Sequence, residues 1–93
     1  MVTPFSEENI SSIEVIRTFL PSVDSEELKW HWDQEDREIV FISRNDWKYQ
    51  IDNDLPRSCQ GTVLIKAGTW HRVIKGKSEL RVKITKYQNS EDI

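Results

Sequence analysis

The sequence predicts an all-β domain in which a short N-terminal helix precedes an antiparallel sandwich or barrel. Three observations carry this expectation. From Leu28 onward the apolar period becomes two, most cleanly in Trp47-Lys48-Tyr49-Gln50-Ile51-Asp52 and at Leu80, Val82 and Ile84. Turn residues separate nearly all of these runs at regular spacing. No glycine-rich phosphate loop, Gly-x-Ser-x-Gly elbow or Cys-x-x-Cys pair interrupts them, which removes the usual nucleotide, hydrolase and zinc-ribbon readings.

Taken in order, Ser11-Ser12-Ile13-Glu14 has the form of a helix start. Ser11 can cap and Glu14 completes a capping box, while Ile10 and Val15 fit a hydrophobic staple. Ile13, Ile16 and Leu20 recur near helical spacing, and Pro21 stops the segment, so the expected helix covers about residues 11–20. The β-branched content leaves a strand open there. Leu28 to Asp33 is the first expected strand and Ile39 to Ser43 a buried one. Arg44-Asn45-Asp46 is a turn in which Asn45 can take positive φ. Residues 38–52 therefore read as a hairpin. Asn53 to Gln60, with Pro56, is a loop. Thr62 to Lys66 is a strand, Ala67-Gly68 a turn, and Trp70 to Ile74 another strand. A turn at Lys75 to Ser78 leads to the alternating segment from Leu80, and Gln88 to Ile93 is a polar tail.

With 93 residues the chain is expected to form one domain, burying roughly 65% of its unfolded surface in one modest core. Charged residues make up 31% and hydrophobic ones 37%, as in a water-soluble globular protein. No apolar run of about 18 residues could span a membrane. The first residues lack the basic and apolar regions of a signal peptide, and Cys59 is the one cysteine. Both facts fit the cytoplasm. Without a neighbouring base, Cys59 reads as incidental.

The net charge of −3 is unevenly distributed. Residues 24–38 hold seven acids against two bases, and residues 72–86 hold six bases against one acid. The simplest reading is opposed charge on neighbouring strands. Overall acidity argues against a nucleic-acid partner.

Both histidines lie in tryptophan-flanked stretches, Trp30-His31-Trp32-Asp33 and Gly68-Thr69-Trp70-His71. On a strand, His31 and Asp33 would share one face and Trp30 and Trp32 the other. Two imidazoles with the carboxylates of Asp33 and Glu38 suit Fe(II), Mn(II), Ni(II) or Zn(II). In the competing reading the histidines only hydrogen-bond the carboxylates, and no ion binds. The four tryptophans could stack on a flat ligand, but burial between sheets or under the helix is the more economical expectation.

These residues carry a resemblance. The first motif of the cupins, small jelly-roll barrels, runs G-x5-H-x-H-x3,4-E-x6-G. His31 matches its first histidine, Asp33 stands at the second, Glu38 matches the glutamate and Asn45 stands at the closing glycine. The second motif ends P-x-G-x2-H-x3-N. Gly68 and His71 match it, Lys66 and Lys75 replace its proline and asparagine, and Gln60-Gly61 stands where Gly-Asp is common. The chain thus resembles a small single-domain cupin over about residues 28–86. The resemblance implies an antiparallel jelly-roll barrel over about 28–87. It also implies a divalent metal held by His31, Asp33, Glu38 and His71 in the lumen. Val40, Ile42, Trp47, Tyr49 and Ile51 are expected to line the pocket. A metal-dependent oxygenase or isomerase acting on a small molecule would suit that family. The alternative is a non-catalytic binding or accessory module without metal. Exposed strand edges point to a homodimer.

Overall fold

A computed structural model describes residues 3–88. The expected polar tail therefore lies outside the described residues, except for Gln88. Eight strands follow in order: β1 (Ser6–Asn9), β2 (Glu14–Phe19), β3 (Asp36–Phe41), β4 (Lys48–Ile51), β5 (Arg57–Ser58), β6 (Thr62–Ile65), β7 (His71–Ile74) and β8 (Leu80–Tyr87). They make two antiparallel sheets, one of five strands ordered β1-β2-β8-β3-β6 and one of three ordered β5-β4-β7. The all-β expectation holds. The closed barrel does not: among the described residues the strands form two separate sheets.

The core lies between these sheets. Val15 and Phe19 of β2 and Leu80, Val82 and Ile84 of β8 meet Trp47 and Cys59 from the small-sheet side. Register explains the selection. Phe19 pairs with Leu80 and Val15 with Ile84, while Ile39 and Phe41 of β3 pair with Ile84 and Val82. Directly opposite residues share a face, so one inward row runs across three strands. Trp47 is 1% exposed, and its indole N–H donates to the Ser78 carbonyl at 2.6 Å. The Asp46 carboxylate accepts from the Lys77 and Ser78 amides at 2.8 and 3.1 Å. This ties the chain before β4 to the turn before β8. Those amides hold the Asp46 carboxyl below the usual carboxylate range. Gly76 fits because a Cβ there would collide with Asp46.

The expected N-terminal helix is absent. Residues 14–19 are strand β2, paired with β1 on one side and β8 on the other. The residues that resemble a capping box close the hairpin turn instead. The Ile10 and Ser11 amides donate to the Glu14 carbonyl at 2.9 and 3.2 Å, and Ser11 Oγ donates to Glu14 Oε1 at 3.2 Å. A helix of this length is marginal alone. The β-branched Val15, Ile16 and Thr18 gain more from a place between two strands.

Two other expectations change. Residues 28–33 form no strand. A 3-10 turn at Ser25–Glu27, capped by Asp24, leads into an irregular segment that pairs with a strand only through an isolated bridge from His31 to His71. Residues 38–52 are no hairpin either, since β3 belongs to the large sheet and β4 to the small one. Asn45 is not among the residues with positive φ. It holds the crossing between sheets by side-chain bonds, donating to the Ser43 and Cys59 carbonyls and accepting from the Trp47 amide.

Strand adjacency accounts for only part of the uneven charge, since five of the seven acids of residues 24–38 precede β3. The acidic start of β3 lies beside the basic β8, and Lys83 of β8 also pairs with Glu14 of β2 at 3.3 Å. Among the described residues, no helix is long and apolar enough to cross a membrane.

Candidate metal centre

His71 opens β7, where its neighbour on β4 is Ile51. His31 is brought to it by a reciprocal backbone pair. The His31 amide donates to the His71 carbonyl at 3.0 Å, and the His71 amide donates back at 2.9 Å. The two rings lie 4.2 Å apart, centroid to centroid. Asp33 follows two residues later and is held by the Gly68 amide, which donates to its carbonyl at 2.9 Å. Gly68 has φ of 79°, a conformation that glycine adopts without cost. The glycine turn before His71 thus fastens the segment that carries the other two side chains.

The result is a cluster in which one ligand atom each from His31, Asp33 and His71 lies within 4.8 Å of the others. Both rings have a defined tautomer. His71 Nδ1 lies 2.8 Å from the Thr69 carbonyl, and His31 Nδ1 lies 3.1 Å from the Lys29 carbonyl. A carbonyl only accepts, so in the neutral rings the proton sits on Nδ1 and the Nε2 lone pair is left free. Carbonyl anchors of this kind orient the imidazoles of metal sites.

Asp33 decides whether the cluster suits a metal. Its Oδ1 faces Arg37 at 3.2 Å, while its buried Oδ2 receives no hydrogen bond. Oδ2 lies 3.3 Å from His71 Nε2, a charge contact that is not aligned as a hydrogen bond. With the His71 proton committed to Thr69, a carboxylate oxygen faces a nitrogen lone pair. That arrangement is repulsive unless a proton or a cation lies between them. A divalent ion satisfies all three groups, and two imidazoles with one carboxylate form a facial-triad donor set. The residues present fit a metal.

The electrostatics favour an ionised carboxylate. Burial raises the Asp33 carboxyl, but a hydrogen bond from the His71 ring when it carries a second proton, together with the Arg37 guanidinium, outweighs it and holds the group below the usual range. Burial lowers the His31 imidazole below its ordinary value, which keeps it a neutral ligand near pH 7. Burial pushes the Cys59 thiol up to about 12, so this buried cysteine is a poor nucleophile.

Glu38 does not join the cluster. It lies on the outer face of β3, opposite Leu64 and Thr85, where it accepts from the Tyr87 hydroxyl at 3.0 Å. Beside the cluster, a cavity of about 400 Å3 lies between the two sheets. Of the expected lining residues only Tyr49 lines it. Trp47 is sealed in the core and Ile42 is exposed, while Val40 and Ile51 are half-buried away from the cavity wall. Their places are taken by Ile39 and Phe41, one position earlier along β3. The tryptophans also divide. Trp47 is buried as expected, but Trp30, Trp32 and Trp70 are 38–47% exposed. No sheet covers the irregular segment that carries the first two.

Sequence reasoning missed Arg17 and Arg37, which both line the cavity. Their signal is alternation. Val15-Arg17-Phe19 is an inward row of β2, and Arg37-Ile39-Phe41 is an inward row of β3.

A fold of this kind occurs in solved structures. A cupin domain from Bordetella pertussis aligns with 94% of this chain and 98% of its own, at TM-score 0.58 and 16% identity. The chain has the cupin fold. CoII HppE in complex with Tris buffer aligns with 94% of the chain at TM-score 0.67 and 8% identity, and FeII HppE with 80% at 0.60 and 9%. The chain spans about half the length of these HppE chains, 55% and 41% respectively. No family model and no curated protein matches the sequence. In this cupin fold the three converging side chains come from the two segments in which the sequence matches the cupin motifs.

Proposed function

We propose that the chain is a single-domain cupin-fold protein that binds one divalent metal ion through His31, Asp33 and His71. A small molecule would bind in the adjoining cavity. The observation that carries this reading is the orphaned Asp33 Oδ2, facing a histidine whose proton is committed elsewhere. The metal-bearing HppE structures, named for their FeII and CoII, support it by analogy of fold.

When bound, the ion would supply Lewis acidity or a redox centre with open positions for substrate. The chain's own residues do the rest. Thr69 and Lys29 fix the tautomers of the two imidazoles. Arg37 holds Asp33 Oδ1 and leaves Oδ2 for the ion. Phe41 and Ile84 lend the cavity an apolar wall. An oxygenase or an isomerase suits such a site, and a binding module that uses the ion to hold a ligand suits it equally. Glu38 is assigned no metal role.

Protein purified without chelator should contain close to one Fe, Mn, Ni or Zn ion per chain by elemental analysis. A chain that stays metal-free after incubation with each ion at neutral pH would end this reading. Among the described residues β1 and β6 are the edges of the large sheet, which also supports pairing with a second copy. Sedimentation should then give a dimer, and a monomer at all concentrations would reject it.

A further inference from the structure

The cavity wall is mostly apolar, yet two guanidiniums, Arg17 and Arg37, are built into it. Both side chains are strongly shielded, at 14% and 13% exposure. Burial costs are high for such charges, and burial lowers Arg17 from its ordinary value. Neither is fully used. Arg17 directs Nε and one terminal amine to a single oxygen, Glu7 Oε2, at 2.8 and 2.6 Å. Arg37 directs Nε to Glu35 at 2.7 Å and one terminal amine to Asp33. Among the described residues, the second terminal amine of each has no protein partner, and neither is sealed off as a buried orphan.

Each guanidinium is matched by carboxylates, Arg17 by Glu7 and Arg37 by Asp33 and Glu35, yet each keeps one terminal amine over. An apolar cavity whose wall holds two spare guanidinium donors suits a particular class of molecule. We infer that the ligand of this cavity is a small organic acid, whose carboxylate takes the free donors of Arg17 and Arg37 while its hydrocarbon body lies against Phe19, Ile39 and Phe41. Guanidinium suits this task because its N–H donors make charge-assisted hydrogen bonds to a carboxylate. About 400 Å3 is ample for a one-ring acid. This inference rests on the proposed small-molecule site but not on the metal.

The test is titration calorimetry with 3-phenylpropionate and its uncharged amide, on metal-incubated and on chelator-treated protein whose metal content is measured separately. The acid is expected to bind in both, at least about tenfold tighter than the amide, as a charge-assisted hydrogen bond would give. Arg17→Met should remove that preference. Glu7→Gln loses the same ion pair but releases Arg17, and it should tighten acid binding while leaving the amide unchanged. A purely structural Arg17–Glu7 pair would move both variants in the same direction. Equal binding of acid and amide, or no binding of the acid to folded protein, overturns the inference. Absence of metal with acid binding intact would reject the metal reading alone.

Discussion

His71→Ala is expected to abolish stabilisation by metal. Binding to the native state alone adds about 2.7 kcal/mol when free metal is a hundred times its Kd. In a domain of this size that raises the melting temperature by roughly 10–20 °C. The wild type should show the rise with at least one of Mn(II), Fe(II), Ni(II) and Zn(II), and chelator should reverse it. The variant should show none, because one imidazole and a carboxylate leave the ion with too few protein ligands. His71 is itself buried and holds Thr69, so the metal-free variant should also melt lower. The decisive quantity is therefore the increment on adding metal. An undiminished increment in His71→Ala would mean that the ion binds elsewhere.

The largest effect on stability is expected at Trp47. Its indole fills the core against Phe19, with ring centroids 5.6 Å apart, and its N–H satisfies the Ser78 carbonyl. Trp47→Ala should cost about 3–5 kcal/mol by cavity formation. That is a large part of the roughly 5–15 kcal/mol that holds a small domain folded. Trp47→Phe keeps most of the volume and orphans one carbonyl, for which about 1–3 kcal/mol is expected. Urea denaturation followed by far-UV circular dichroism reads both. A loss below about 1 kcal/mol in Trp47→Ala would contradict the core described above.

The strands legible in the sequence are those whose own pattern decides them. Leu80, Val82 and Ile84 alternate with Arg81 and Lys83, and β8 is central to the large sheet. The Ala67-Gly68 turn was legible because the backbone there needs a residue that tolerates positive φ. The convergence of the His31 and His71 segments was implied by the resemblance to the two cupin motifs.

The failures have physical causes. Ser11 and Glu14 carry the same local signal at a helix start and in a tight hairpin turn. Only β1 and β8, both distant from or outside that window, favour the strand. The run Ile39-Val40-Phe41-Ile42 has no alternation, so its sequence does not say which residues face inward. That side is set by pairing with β8, and a shift of one residue exchanges Val40 and Ile42 for Ile39 and Phe41. The same parity turns Glu38 out to Tyr87 and Arg37 in to Asp33. Trp30 and Trp32 were expected to be covered because residues 28–33 read as a strand. Without strand partners on either side, that segment keeps them exposed.

The central claim is that the free Nε2 atoms of two carbonyl-anchored histidines, with Asp33 Oδ2, form one ligand set. Because the chain has two histidines, long-range proton–nitrogen NMR of the imidazoles tests it without ambiguity. Metal-free protein near neutral pH should show both rings protonated on Nδ1. On adding one equivalent of Zn(II), both Nε2 signals should move together to metal-bound positions while both Nδ1 atoms keep their protons. Rings that ignore Zn(II), or an ion bound through Nδ1, would contradict the account.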